Sequence, residues 1–447
     1  MVSAWPFWER GTARLSIWRY PMPRRDSNQA PPQVIVKKDP NIITETRRYK
    51  VITPLYGGGV EPGKADPITV VRVSEIRGHL RFWWRATRGG AFNGDLQKMR
   101  EAEEKIWGSA GGKGKPGPSK VVVSLTQHER GKLVSKAKDS NGRQVDYGDV
   151  KSPYGYVAFP LRETKDQAAG SVRENVSFTL KIRYPRYVAD DVLSALWAWE
   201  TFGGIGARTR RGFGALQKID SKSIPDANQM ENAIREALIG HVVPNGQWPP
   251  GVPHLSPEST IITTRQKESV EDAWQVLFNA LKEFRQICAR YDGKTGQRSA
   301  YGLSRWPEAN AIRKFLRLSP RFPANVTHTV IEKFPRAVFG LPIGFEMHHD
   351  DNKKLELQGR DNDRLASPLI LRPIACSDGA VGLAVLLEWD PVNSDEPYTP
   401  PGGLRLTGEK VNKVVQSKLS QTEVQQIPVL DGNPDVLQAF LDYLKGK

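Results

Sequence analysis

Val176-Ser177-Phe178-Thr179-Leu180-Lys181-Ile182-Arg183-Tyr184 alternates without a break. Val176, Phe178, Leu180, Ile182 and Tyr184 fall on one side; Ser177, Thr179, Lys181 and Arg183 fall on the other. Successive side chains of a strand point to opposite faces, so this stretch predicts a half-buried strand with a basic outer face. A helix is predicted next, over Asp190 to Phe202, buried through Val192, Leu193, Leu196 and Trp199. A glycine-rich run then leads to a closing strand over Ala215 to Ile219. Upstream, Tyr49 to Thr53 reads as a strand, stopped by Pro54 and by Gly57-Gly58-Gly59. Ile68 to Val73 reads as a short strand leading to Ser74, an N-cap residue for a helix that runs to about Arg88 and ends at Gly89-Gly90. Val121 to Leu125 and Tyr154 to Leu161 are further strand candidates. The order strand, helix, strands, strand, helix, strand is the split βαβ pattern of a ferredoxin-like domain carrying an insertion.

Beyond Ser221 the chain holds a short helix and then Pro244, Pro249, Pro250 and Pro253, which mark a boundary. Val270 to Arg290 is amphipathic, with Ala273, Leu277, Ala280, Leu281, Phe284 and Cys288 in phase. Another helix is expected after Trp306-Pro307, and strands at Ala337 to Phe345, Pro368 to Ile374 and Val381 to Trp389. The expected fold class is α+β. Its parts are an N-terminal extension (1–46), a first domain (47–220), a linker (221–256) and a second α+β domain (257–447).

With 447 residues, 38% of them hydrophobic, and 12 tryptophans, the chain can bury more than one core. No stretch has the apolar length to span a bilayer, and the first twenty residues lack the apolar centre of a secretory signal. Cys288 and Cys376 are the only cysteines, which suits a reducing cytoplasm and excludes a cysteine-rich zinc site. Up to Asp220 there are 38 Lys+Arg against 22 Asp+Glu, and from Ser221 onward 27 against 27. The whole net charge of +16 therefore lies in the first half, which points to a polyanionic partner there. No basic amphipathic helix stands free for a membrane surface, so nucleic acid leads.

On the predicted helix Glu75 to Arg88, Arg77, Arg81, Arg85 and Arg88 fall on one stripe, beside an apolar face of Ile76, Leu80, Trp83 and Trp84. Stacked like charges destabilise a helix, and phosphate matches the guanidinium fork. The alternative is a face paired with carboxylates from elsewhere in the fold. Trp83 and Trp84 read as core residues.

The glycine run is Phe202-Gly203-Gly204-Ile205-Gly206-Ala207-Arg208-Thr209-Arg210-Arg211-Gly212-Phe213-Gly214. It follows a helix and precedes a strand, opposite to dinucleotide and Walker loops. Gly204, Gly206, Gly212 and Gly214 permit close backbone approach, so amides can face phosphate, and Arg208, Arg210 and Arg211 add charge at the same place. A tight structural turn is the alternative. Gly57, Gly58 and Gly59, and the Lys113/Lys115 loop, join the candidate interface only if the fold brings them beside the stripe.

The glycine run resembles the G-loop of the RAMP superfamily of CRISPR proteins. Together with Ile52 to Gly59, Arg77 to Arg85, Ser304 to Glu308 and Ala366 to Pro373, it resembles the family designated subunit one of the type III-B (Cmr) effector complex. That resemblance covers about Arg47 to Pro373. It implies two ferredoxin-like (RRM-like) domains, guide and target RNA as ligands, other Cmr backbone subunits as neighbours, no cofactor and no catalytic role. The segment 1–46 departs from the family pattern.

Some RAMP relatives cleave RNA with a histidine. His79 lies away from the arginine stripe with no second histidine nearby in sequence, and no Ser-His-Asp or paired-carboxylate arrangement is recognisable. His348-His349-Asp350-Asp351 reads as a polar turn rather than a metal site. The expectation is a non-catalytic RNA-binding subunit, the alternative a metal-independent endoribonuclease that processes precursor guide RNA.

Overall fold

Strand β1 (Ile42–Val51) is the centre of the first sheet in the computed structural model. The structure describes residues 39–447 apart from 60–63, 65, 112–116, 166, 221–222, 287, 292–297, 323–328, 348–352, 390–397 and 401. Helices α1 (Val73–Arg88) and α2 (Leu96–Trp107) follow, then β2 (Val122–Glu129), β3 (Ser177–Pro185), α3 (Ala189–Phe202) and β4 (Leu216–Lys218). The sheet order is β2-β3-β1-β4 and every neighbouring pair is antiparallel. The alternation of β3 is realised: Phe178, Leu180, Ile182 and Tyr184 are buried against α1 and α3, while Lys181 and Arg183 are exposed.

Some local expectations fail for identifiable reasons. Residues 68–72 are no strand, because the Asp66 carboxylate accepts the amides of Ile68 (2.8 Å) and Thr69 (2.6 Å) that a strand would give to a neighbour. Helix α1 then begins at Val73 without a side-chain cap, so Ser74 lies inside it. Residues 154–161 are turns closed by a 3-10 turn over Phe159–Leu161, with the Tyr154 carbonyl accepting the Ala158 amide. β1 starts at Ile42, so the last residues read as an extension belong to the sheet. Residues 1–38 lie outside the described residues.

The segment read as a linker holds α4 (Ala227–His241), which buries Met230, Ile234 and Leu238 in the first core. The tryptophan that follows, Trp248, packs on Gly90 and donates to the Arg85 carbonyl (2.8 Å). The chain continues with β5 (Ile261–Thr263) and α5 (Val270–Arg285). α5 is capped by Ser269, whose hydroxyl accepts the Asp272 amide. It stops at Arg285, before Cys288, where side chains take its final carbonyls: Trp306 bonds Phe284 O (2.9 Å) and Arg336 bonds Arg285 O (2.8 Å). After α6 (Glu308–Phe315), residues 335–339 form a 3-10 turn, so the strand expected from Ala337 begins only at Ile343.

The remaining elements are β6 (Ile343–Met347), β7 (Lys353–Gly359), β8 (Leu369–Cys376), β9 (Gly379–Leu386), β10 (Leu404–Gly408), β11 (Val411–Val415) and α7 (Val436–Lys445). They build a sheet β8-β9-β5, covered by α5 and α7, and a second sheet β6-β7-β10-β11. The order β5-β9-β8 repeats the order β1-β3-β2, with no counterpart of β4 among the described residues. Ile370, Val381, Leu383 and Val385 of the second half belong to the same core as α1 and α3. The two halves therefore share buried surface.

Candidate nucleic-acid interface

The arginine stripe of α1 is largely spoken for. Arg81 Nε and Arg85 Nη1 both donate to Glu103 Oε1, at 2.6 and 2.7 Å, and Arg81 also reaches the Gly108 carbonyl (3.1 Å). Glu103 comes from α2, is 5% exposed, and offsets one of the two charges. Arg77 contacts the Trp107 carbonyl at 3.4 Å, and Arg88 stands 3.9 Å from Asp191. Partnership with carboxylates of neighbouring elements, the alternative to a phosphate-binding face, thus describes Arg81, Arg85 and Arg88, whose side chains stay partly exposed. Trp83 and Trp84 are buried as expected.

The glycine run and the triple glycine converge. Ala207 N donates to Tyr56 O (2.7 Å), Gly214 N to Pro54 O (3.0 Å), and a Cβ on Gly58 would stand 3.1 Å from Gly206 Cα. Close approach explains the glycines: a Cβ on Gly214 would lie 1.8 Å from the Ile205 carbonyl, and one on Gly206 2.5 Å from that of Tyr56. Several amides expected to face phosphate already have protein acceptors. Gly206 N donates to Glu75 Oε1 (2.5 Å), and Gly59 N to the Lys64 carbonyl (2.9 Å). Gly204 is bridged to Ala215, and Gly212 N donates to Thr209 O (3.0 Å).

Arg210 and Arg211 also have protein acceptors. Arg210 donates to the Ser367 carbonyl and lies over the Phe82 ring; Arg211 donates to the carbonyls of Leu369 (2.9 Å) and Phe339 (3.1 Å). Burial pushes their guanidinium pKa values down, to about 10 and about 9. Arg372 of β8 answers in the opposite direction. It is 1% exposed and donates to the carbonyls of Glu200 (2.8 Å), Gly203 (2.8 Å) and Leu216 (2.7 Å). Two of these lie in the last turn and at the C-cap of α3, where unsatisfied carbonyls and the negative end of the helix dipole favour a cation. The halves are fastened by exchanged arginines, with Arg210 and Arg211 held by carbonyls of the second half.

Arg208 is held by a ring instead. It adopts a left-handed backbone (φ 59°), lies over the Phe159 ring at 4.8 Å, and its buried Nε has no hydrogen-bond partner. Burial lowers its pKa, and Arg285 lowers it further. Arg285 Nη1 donates to the Tyr156 hydroxyl (3.1 Å), its guanidinium lies over Phe339 (5.4 Å), and its Nε is likewise unpartnered.

Arg285 lines an open groove of about 930 Å³ with Tyr156, Phe159, Arg162, Arg336 and Phe345. Phe159 is 57% exposed. Carboxylates offset part of the charge: Arg336 pairs with Glu308 (3.0 Å), and Lys354 stands 3.9 Å from Glu346. The groove sets guanidinium groups beside one exposed ring, Phe159, the combination that holds a phosphate and a stacked base. Sequence reading missed Tyr156, Phe159, Arg162 and Arg285, because they come from an irregular segment and a helix end with no shared spacing. Lys113 and Lys115, and His348 to Asp351, lie outside the described residues.

Comparison with known proteins gives this geometry a context. Residues 48–217 match the family model of the RAMP superfamily. Over 183 residues, 40% of this chain, the sequence is 28% identical to CRISPR system Cmr subunit Cmr1-1 of Pyrococcus furiosus, and the match spans 46% of that protein, about half its length. Over 187 residues, 38% of this chain, it is 25% identical to Cmr1-2 of the same organism, covering 91% of that protein. Among solved structures, the crystal structure of Cmr1 from Pyrococcus furiosus in its apo form aligns with 83% of this chain and 94% of its own, at 15% identity and a TM-score of 0.46. A type III-B Cmr-beta structure bound to cognate target RNA and AMPPnP aligns with 89% of this chain and 98% of its own, at 12% identity and a TM-score of 0.44. Residues 48–217 are similar to the RAMP superfamily, in a chain that resembles subunit one of the Cmr (type III-B CRISPR) effector complex.

Proposed function

We propose that the protein is a non-catalytic, RNA-binding subunit of a type III-B CRISPR (Cmr) ribonucleoprotein effector in the cytoplasm. It contacts guide RNA or target RNA beside other Cmr backbone subunits in antiviral defence. Similarity to two Cmr subunits supports the assembly. The sheet orders β1-β3-β2 and β5-β9-β8, each with two covering helices, support a reading of the halves as ferredoxin-like domains.

One observation carries the RNA reading: Arg162 and Arg285 line an open groove together with the exposed Phe159 ring, over which the Arg208 guanidinium lies. A phosphate oxygen would accept from the guanidinium groups that line the groove, and a base would stack on the ring. Phe159→Ala is expected to weaken single-stranded RNA binding about tenfold, because base–aromatic stacking contributes roughly 1–3 kcal/mol per base. The ring is exposed, so thermal stability should stay near wild type. Fluorescence anisotropy with a labelled oligonucleotide reads the loss, and unchanged affinity would remove the groove from the interface.

The endoribonuclease reading keeps one supporting observation. His79 Nε2 stands 3.5 Å from Glu75 Oε1, the oxygen that accepts the Gly206 amide, so a carboxylate orients an imidazole at the glycine loop. Incubating the purified protein with repeat RNA in EDTA decides between the readings. Specific cleavage abolished by His79→Ala would favour the enzyme; intact RNA favours the subunit.

A further inference from the structure

The face of the first sheet turned away from α1 and α3 has a regular chemistry. β1 and β3 pair Thr44 with Arg183, Thr46 with Lys181, Arg48 with Thr179 and Lys50 with Ser177. Each of these four outward rungs therefore sets one cation against one hydroxyl. Arg48, Lys50, Lys181 and Arg183 are exposed, and no ion pair joins any of them to a carboxylate among the described residues. Rungs on one face recur every second residue, about 7 Å apart, and the cations pass from β3 to β1 along the pair. The spacing is comparable to that of successive phosphates along an extended strand.

From this ladder we infer that the outer sheet face is a second RNA surface, which tracks the sugar–phosphate backbone. The inference rests on the proposed role as an RNA binder, but concerns residues apart from the groove. Phosphate oxygens accept from the cations, and the hydroxyls of Thr44 and Thr46 bond phosphate or ribose oxygens, while those of Thr179 and Ser177 donate to Gln127 (3.1 Å) and Glu129 (2.8 Å) of β2. No aromatic side chain stands on these rungs, so the face positions a strand without reading its bases. An acidic protein is the lesser fit, because the four rungs present no large apolar or aromatic anchor around which protein interfaces concentrate their affinity. Lys50 also lines a cavity of about 360 Å³ with Glu174 and Glu271, which leaves the other three rungs as the principal contacts.

The test compares salt dependence in the full-length chain, using a labelled 30-nucleotide polyuridylate. Each phosphate neutralised on a single strand contributes about −0.7 to the slope of log affinity against log salt. Arg48→Glu with Lys181→Glu should make the slope about 1.4 shallower. Phe159→Ala should lower affinity at every salt concentration with the slope unchanged. If charge reversal impairs folding, Arg48→Gln with Lys181→Gln gives the same reading. A wild-type slope in the folded face variants overturns the inference while leaving the groove untouched. So does loss of assembly with partner subunits at an unaltered slope, which would assign the face to a protein. A groove variant with wild-type affinity and a face variant with a shallower slope would retain the face and refute the groove.

Discussion

Arg372→Met is expected to lower the free energy of unfolding by about 4 kcal/mol, in the range for removing one partner of a buried charged network. The thioether fills much of the volume but donates nothing. The carbonyls of Glu200, Gly203 and Leu216 would then lie in a dry interior without Arg372. Leaving a buried acceptor unsatisfied costs roughly 1–3 kcal/mol, and partial relaxation keeps the total below the sum of three. Arg372→Lys should recover only part of the loss, because one ammonium cannot reproduce the planar fork that spans the end of α3 and the start of β4. Urea unfolding measures both variants. A change below about 1 kcal/mol for the methionine variant would show that the exchanged arginines do not fasten the halves.

Arg81→Glu combined with Arg85→Glu is expected to cost about 3 kcal/mol, again from stranding a buried charge. Glu103 would lose both of its donors and face two new carboxylates across the α1–α2 contact. Since these arginines are engaged internally, the salt slope of RNA binding by the folded fraction should stay close to wild type. Thermal unfolding and anisotropy together check this. A stable protein with a shallower slope would return the stripe to the RNA interface.

The arginines show how far a one-dimensional pattern reaches. Arg77, Arg81, Arg85 and Arg88 were legible as a stripe because helical spacing is local. Their partners were not, because Glu103 belongs to the next helix and the 16 residues of α1 hold a single acidic residue of their own, Glu75. Arg210 and Arg211 looked like ligands because glycines surrounded them. Their acceptors are carbonyls 128 to 158 residues further along the chain, and a backbone carbonyl leaves no mark in a sequence. The clustering of Gly57 to Gly59 with the second glycine run met its stated condition only in part. The two segments touch each other and the first turn of α1, not a free cationic groove.

Sequence alone determined the alternation of β3, the apolar faces of α1, α3 and α5, the α+β class and the concentration of positive charge in the first half. These follow from side-chain periodicity and composition, which are properties of short windows. Only tertiary structure decided where the cations stand: Arg162 and Arg285 at the groove, and the ladder of Arg183, Lys181 and Arg48 facing threonines across a pairing of strands more than 120 residues apart. A guanidinium carries the same charge whether it meets a carboxylate, a carbonyl or a phosphate. What it can bind is fixed by the neighbours that folding supplies.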